Sequence, residues 1–284
     1  MPEHGQRVGD SSLLLTDYHV HCDYSIDAVG TIDEYCSEAL ERGLVEICFT
    51  THYDANPNSV GGDGFIRVKG EDLPAVPKNL EPYVRDVLAA HDRFYPGNLS
   101  VKLGVEFGWY TGASAEAEKL REEFGLDYML CGIHELENLC FCCADSYDKC
   151  FSRFKVEEAI DRYCDQIIEA AECKAVDTIA HLDYIRKYGL KFYGSAIDDV
   201  LLQKCQESVF PVLAATDTKL EVNTSAMRRG FDSYFPRMPL LNAARRAGVD
   251  VKYLGSDAHQ PDHVGFDFEI AAALTSLNYA GCED

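Results

Sequence analysis

What most constrains this chain is where its histidines and a few of its carboxylates fall: at the ends of apolar runs. The run "LLLTDYHVHCD" carries His19-Val20-His21, and "VKYLGSDAH" closes on Asp257-Ala258-His259. In a strand, side chains at i and i+2 share a face, so each segment aims two donors in one direction. Between them, further apolar runs finish at His52, Glu106, His134 and His181. Nitrogen and oxygen donors at the end of nearly every strand-like segment predict a multinuclear metal site. Its place would be the end of a barrel at which the strands finish, where β/α barrels carry their active sites.

Seven segments read as strands, at about 13–19, 45–51, 99–106, 127–133, 176–181, 219–223 and 251–256. Their nearly continuous apolarity suits parallel strands buried on both faces. Helical patterns lie between them. "TIDEYCSEALERG" has Thr31 as N-cap with Glu34 three residues on, a capping box, and Gly43 as its stop. "EPYVRDVLAAHDRFYPG", "SAEAEKLREEFG", "VEEAIDRYCDQIIEAAE", "IDDVLLQKCQESV", "PLLNAARRAG" and "FEIAAALTSLNYAG" follow. Strict alternation of strand and helix implies a parallel sheet with crossover helices. Residues 1–12 form a polar tail, and 13–284 are expected to form one domain. The stretches 53–80 and 135–155 read as long loops.

Composition narrows the function. With 46% hydrophobic residues, 284 residues suffice for one sizeable core. No apolar run nears the roughly 20 residues that a membrane helix needs, and the start lacks a basic-then-apolar secretory pattern, so a cytoplasmic protein is expected. The net charge of -22, without a basic cluster, argues against nucleic acid as a partner. Twelve cysteines in that setting are expected as reduced thiols, including Cys140, Cys142 and Cys143 in "CFCC".

Imidazole suits zinc or iron, and carboxylates widen the choice to manganese. Glu106 stands out as a carboxylate ending an internal strand among histidines, which makes it the candidate to bridge two ions. Ions about 3.5–4 Å apart can clamp a nucleophilic hydroxide and a phosphoryl oxygen together, which removes the need for a protein nucleophile. His4 and His91 read as surface or packing residues; for His263, near the proposed site, a loop or substrate-facing role and metal ligation are secondary alternatives. Arg186, Arg228 and Arg229 follow strand ends on the same side. Guanidinium matches phosphate through planar bidentate bonds, so these three are the candidate substrate-binding residues.

Together, from "DYHVHCDYSID" to "GSDAHQPDHVG", the motifs resemble the polymerase-and-histidinol-phosphatase (PHP) family over almost the whole chain. The resemblance implies a distorted TIM-like (β/α)7 barrel with parallel strands and a trinuclear centre of divalent ions (Zn, Mn or Fe). It implies a first metal on His19, His21, Glu106 and Asp257, and a second on Glu106, His134 and His181. The third would take Asp27, His52 and His259. Aspartate at position 27, where some relatives carry histidine, together with "HLDYIRKYG" and "EVNTSAMRRG", is similar to the histidinol-phosphatase branch. There, residues matching Arg186 and Arg228 contact the substrate phosphate.

The expected activity is therefore hydrolysis of a small phosphomonoester, with L-histidinol phosphate the first candidate. Glu106, Asp257 and His259 are the candidate catalytic groups. Three alternatives remain: another small phosphoester or phosphotyrosine as substrate, a non-catalytic metal-binding domain, and a metal-dependent amidohydrolase. A complete donor set argues against the second, and arginines near the site are not needed by the third.

Overall fold

A computed structural model describes residues 15–62 and 64–277. The polar tail and the outer ends of the first strand and last helix expected from the sequence lie outside the described residues.

The strands are β1 (Thr16–Val20), β2 (Glu46–Tyr53), β3 (Phe65–Val68), β4 (Glu71–Pro74), β5 (Ser100–Gly108), β6 (Tyr128–Gly132), β7 (Glu135–Leu136), β8 (Leu139–Cys140), β9 (Thr178–Ile179), β10 (Lys219–Asn223) and β11 (Val251–Gly255). Seven of them form one parallel sheet in the order β1-β2-β5-β6-β9-β10-β11. Its two edges meet where Val20 bridges Ala258, with the His21 N–H donating to the Ala258 carbonyl at 2.8 Å. The result is the nearly closed seven-stranded barrel expected. The fifth barrel strand is shorter than its apolar run suggested: β9 covers only two residues, because the chain turns at Ala180 and His181 to form the site.

The helices are α1 (Ile32–Glu41), α2 (Pro77–Phe94), α3 (Ser114–Phe124), α4 (Tyr147–Phe151), α5 (Val156–Glu172), α6 (Arg186–Tyr193), α7 (Ala196–Lys204), α8 (Phe210–Ala215), α9 (Ser225–Arg228), α10 (Met238–Arg246) and α11 (Phe268–Leu277). The Thr31–Glu34 capping box is present. In α2, Leu80, Tyr83, Val87 and Ala90 form the buried face, a helical spacing that seats the helix on the sheet. Tyr83 fixes it there, donating its hydroxyl toward the Phe49 and Gly104 carbonyls at 2.8 and 2.7 Å. The "IDDVLLQKCQESV" pattern does not run as one α-helix. It ends at Lys204, passes through a wider π-turn over Cys205–Val209 and resumes as α8.

The two long loops hold structure of their own. β3 and β4 pair as a hairpin turning at Lys69 and Gly70, which have φ of 52° and 81°. β7 and β8 pair as a second, very short hairpin. Strands this short carry too little periodicity to be read from sequence.

The barrel interior is layered. Near the start of the strands, Tyr18, Tyr128 and Tyr253 pack ring on ring, with centroids 4.4–5.2 Å apart. Cys48, Leu130 and Ala180 complete this apolar plug. The polar layer of His19, Glu106, Glu221 and Asn223, all buried, lies further along the strands. Consecutive residues Tyr18 and His19 both reach the interior because β1 carries an irregularity there: Asp17 faces Ile47 and Val20 faces Phe49, three residues against two.

Candidate metal centre

All nine residues singled out as metal ligands gather at one end of the barrel. His19 and His21 leave β1, and Asp27 follows in the next loop. His52 and Glu106 are register neighbours on β2 and β5. His134 lies two residues past β6, His181 two past β9, and Asp257 and His259 just past β11. His181 and Asp257 take positive φ, 22° and 51°, a backbone uncommon outside glycine that collects at functional sites.

Glu106 is central. Its Oε2 lies 2.9 Å from His52 Nδ1, 3.4 Å from His19 Nε2 and 3.5 Å from His21 Nε2. Its Oε1 lies 2.9 Å from His181 Nε2 and 3.4 Å from His134 Nε2. Each oxygen thus faces its own histidine group. Asp257 Oδ1 stands 3.5 Å from His21 Nε2 and 3.8 Å from His19 Nε2. Asp27 joins His259 at 3.1 Å and His52 at 3.8 Å. Glycine is required at position 132, where a Cβ would stand 2.6 Å from both Glu106 Oε1 and His134 Nε2.

The second ring nitrogens of His19, His21, His134 and His259 are held from behind, which sets the face that each of these imidazoles presents. His19 Nδ1 meets the Glu221 carboxylate at 3.0 and 3.1 Å. His134 Nδ1 meets Asp54 at 3.0 Å, His21 Nδ1 meets Ser25 Oγ at 3.3 Å, and His259 Nδ1 meets the Asp257 carbonyl at 3.0 Å. Glu221 also accepts the His181 N–H at 2.8 Å and an Asn223 amide N–H at 2.9 Å. Ser225 donates to Asp257 Oδ2 at 2.8 Å.

Glu221, Asp54, Ser25, Asn223 and Ser225 escaped the sequence reading, which took Glu106 as the carboxylate ending an internal strand among histidines. Glu221 is a second such carboxylate. The available signal was a lone acid between Leu220 and Val222 in "KLEVN", since an unpaired charge does not sit inside a sheet. Asp54, two residues past His52, carried no such mark.

Charges are strongly coupled. Burial resists ionisation of Glu106, yet His19, His52 and His134 hold its carboxyl well below the usual range. Asp257 is likewise lowered against its burial, by His19, His21 and His259. Burial also disfavours imidazolium, but Glu221, Glu106 and Asp257 together hold His19 well above its ordinary value. Asp54 and Glu106 do the same for His134, and Glu106 and Asp27 push His52 up to about 9. His21 goes the other way: burial and the neighbouring His52 and His259 hold it neutral.

Divalent cations fit this arrangement. The Nε2 atoms of His19 and His21 are buried without a hydrogen-bond partner among the described residues, aimed at carboxylate oxygens. A buried polar atom left so is costly, and a cation in contact with both nitrogen and carboxylate removes the cost. Donor atoms come within 4.8 Å of one another in the sets His19/Glu106/His181, His19/His21/Asp257, His21/His52/His259 and His52/Asp54/His134.

The donors open onto a cavity of about 380 Å³, walled by Tyr184, Lys187, Tyr188 and Arg229. Of the three candidate substrate arginines, only Arg229 lines it, with Nη2 3.6 Å from Asp257 Oδ2. Arg228 lies behind, donating to the Ser256 and Asp257 carbonyls at 2.7 and 2.9 Å. Arg186 is buried and paired with Asp198 at 2.6 Å and Asp183 at 3.5 Å, because α6 starts there and turns it away. Its neighbour Lys187 faces the cavity instead, bonded to the Tyr184 hydroxyl at 3.0 Å. His263 pairs with Gln260 and His91 with the Val101 carbonyl, neither of them at the cavity. Cys140 and Cys143 form a disulfide, in contrast to the reduced thiols expected. Two residues separate them in the tight turn after β8, which leaves their Cα atoms 5.9 Å apart, within ordinary bridging reach.

Replacing Glu221 with glutamine keeps the shape but removes the charge behind His19. Metal affinity should fall about 10- to 100-fold, as for other outer-layer carboxylates, measured by competition with a chromogenic chelator. Unchanged affinity would mean that Glu221 serves only to pack the barrel.

Fold and site together define a metal-dependent barrel enzyme. The chain belongs to the PHP domain family, whose model matches residues 17–225. Among its relatives is a protein of Deinococcus radiodurans named "probable histidinol-phosphatase", 31% identical over 260 residues, 90% of this chain and 91% of that one. The histidinol-phosphatase of Lactococcus lactis is 24% identical over 248 residues, 86% of this chain and 83% of that one. A crystal structure of histidinol phosphate phosphatase from the same organism, in complex with zinc, L-histidinol and phosphate, superposes with a TM-score of 0.71 at 23% identity. That match covers 95% of each chain. The family match stops before Asp257 and His259, which the fold returns to the same centre beside His19 and His21.

Proposed function

We propose that this chain is a metal-dependent phosphomonoesterase that hydrolyses L-histidinol phosphate to L-histidinol and phosphate. The observation that carries the reading is Glu106, buried with one oxygen toward each of two histidine groups. The names of the relatives support the substrate.

Three divalent ions are proposed: one on His19, His21, Glu106 and Asp257, one on Glu106, His134 and His181, and one on Asp27, His52 and His259. Zinc, manganese and iron all suit such nitrogen and oxygen donors. When bound, they supply a nucleophilic hydroxide near neutral pH and positive charge for the phosphoryl oxygens. The protein's own part is positional. Glu221, Asp54 and Ser25 lock the imidazole faces, so little reorganisation remains when charge develops. The Tyr184 ring stacks on His181 at 4.3 Å and screens that side from water. Arg229 and Lys187 are the cations placed to hold the phosphate, and Arg228 steadies the Asp257 backbone behind it. Asp27 and His259 line the cavity 3.1 Å apart, where with His52 they would hold the third ion.

Lysine in place of Arg229 keeps the charge but loses the planar fork. The variant is expected to lose kcat/KM by a factor of about 10 to 100, equivalent to a charge-assisted hydrogen bond, with weaker inhibition by inorganic phosphate. Arg186→Lys should lower thermal stability, since it disturbs the pairing of Arg186 with Asp183 and Asp198, and leave phosphate inhibition alone. The opposite pattern would move the phosphate subsite to Arg186. The reading as a whole is tested by phosphate release from a panel of phosphomonoesters, with L-histidinol phosphate expected to give the highest kcat/KM.

A further inference from the structure

We propose that the Cys140–Cys143 disulfide is a redox-modification site at the cavity mouth, opened and closed by thiol–disulfide exchange, and that its state sets how tightly the cavity holds substrate. The function above does not use this sulfur cluster. Cys140, Cys142 and Cys143 all line the cavity, and their sulfurs lie within 4.8 Å of one another, Cys142 Sγ being 3.4 Å from Cys140 Sγ. Eight further described cysteines are buried instead, where thiols are inert.

The bridge spans a segment tied at both ends to the site. On the inner side Cys140 pairs with Glu135, next to His134, and the Phe141 N–H donates to the His134 carbonyl at 3.1 Å. On the outer side the Tyr147 N–H donates to the Cys143 carbonyl at 3.1 Å. The Tyr147 ring then stacks on Tyr188 of the cavity wall at 4.5 Å, the planes 9° apart. Ser146 closes the segment, donating to the Cys140 carbonyl at 2.8 Å. Breaking the bridge loosens Cys143, Ala144 and Asp145, which line the cavity, as one side of the mouth, while Phe141 stays buried.

The surroundings favour exchange. Cys143 and Cys142 are partly exposed. Lys187 and Arg229 line the same cavity, and both interact electrostatically with Cys142. Positive charge at a cavity draws in an anionic thiolate, the species that attacks a disulfide. In the opening step an external thiolate attacks Cys143 Sγ. The Cys140–Cys143 bond breaks, and its electron pair leaves on Cys140 Sγ, which takes up a proton. A second external thiolate attacks the external sulfur of the mixed disulfide and releases the Cys143 thiolate. One protein disulfide is reduced to two thiols while two small thiols are oxidised to one small disulfide. Cys142 Sγ, beside Cys140, offers an internal route that moves the bridge from Cys140–Cys143 to Cys140–Cys142.

The test equilibrates the metal-loaded full chain in glutathione buffers of varied reduced-to-oxidised ratio. It reads bridge occupancy by peptide mass after alkylation, and KM for L-histidinol phosphate in parallel. The expected result is one reversible transition of the Cys140–Cys143 peptide in the folded protein. KM should rise about three- to tenfold on reduction, the cost of re-ordering one or two freed side chains on binding, with kcat changed less. Cys142→Ser should slow the exchange without altering its end points. A Cys140→Ser/Cys143→Ser double variant should show the reduced KM at every ratio. The kinetic readout rests on the phosphatase reading. If L-histidinol phosphate is not turned over in either state, calorimetric binding of inorganic phosphate replaces KM, and the mass measurement stands unchanged. A bridge that never forms, or that persists under reduced glutathione until the protein unfolds, would overturn the proposal. So would equal KM and phosphate affinity in the two states, a result that needs only the wild-type chain.

Discussion

Glu106→Gln is expected to cut phosphate release by about three orders of magnitude or more, because it removes several kcal/mol of metal-borne stabilisation at tenfold per 1.36 kcal/mol. Glutamine keeps the volume and one acceptor oxygen, but its amide nitrogen cannot ligate a cation. The charge that faces five histidines is lost with it. His19 and His134 are held protonated partly by this carboxylate. The variant should therefore bind fewer protons at its histidines when metal-free, and fewer metal ions when metal is supplied. Elemental analysis of the purified variant should show less metal per chain than wild type. A variant with full metal content and full turnover would remove Glu106 from the centre.

The second large effect is that of metal removal. Chelation should abolish turnover and lower the melting temperature, because an ion bound only to the folded state stabilises it by about 2.7 kcal/mol at a hundredfold excess over its Kd. Uptake should also be steeply pH-dependent, and the sign follows from the site. A ligating nitrogen must be neutral. In the metal-free chain His52 stays protonated up to about 9, and His19 and His134 are also held well above their ordinary value. Protons therefore compete with metal throughout the neutral range. Affinity should rise from about pH 6 toward pH 9, by up to tenfold per pH unit for each proton displaced. Calorimetric titration in two buffers of different ionisation enthalpy counts the protons released. Affinity that does not change with pH, with no release, would contradict the coupling of imidazolium to carboxylate described here.

Much of the centre was legible because its donors sit at the ends of apolar runs, where period and position reinforce each other. His19, His21, His52, Glu106, His134, His181, Asp257 and His259 could be found without coordinates, and the fold does bring them together. The seven barrel strands were legible for the same reason, apart from their ends. Less legible was anything that depends on where a helix starts. Arg186 and Lys187 are adjacent, and only the geometry at the start of α6 decides which faces the cavity and which faces Asp198. Arg228 and Arg229 are likewise separated by where α9 ends, Arg228 being its last residue. The supporting carboxylates Glu221 and Asp54 act through histidines far away in sequence, a relation that no local pattern carries. The π-turn at Cys205–Val209 and the two hairpins are set by packing and turns, not by periodicity.

These donors, we propose, hold metal in order to hydrolyse L-histidinol phosphate. The most direct test measures phosphate release from that ester by one preparation in three states: loaded with zinc or manganese, stripped with chelator, and reloaded. Turnover is expected in the loaded protein, with loss on stripping and recovery on reloading, and anomalous scattering should place three ions around Glu106. Turnover that survives complete removal of metal, or a loaded protein with ions at Glu106 and no release from L-histidinol phosphate, would contradict this proposal.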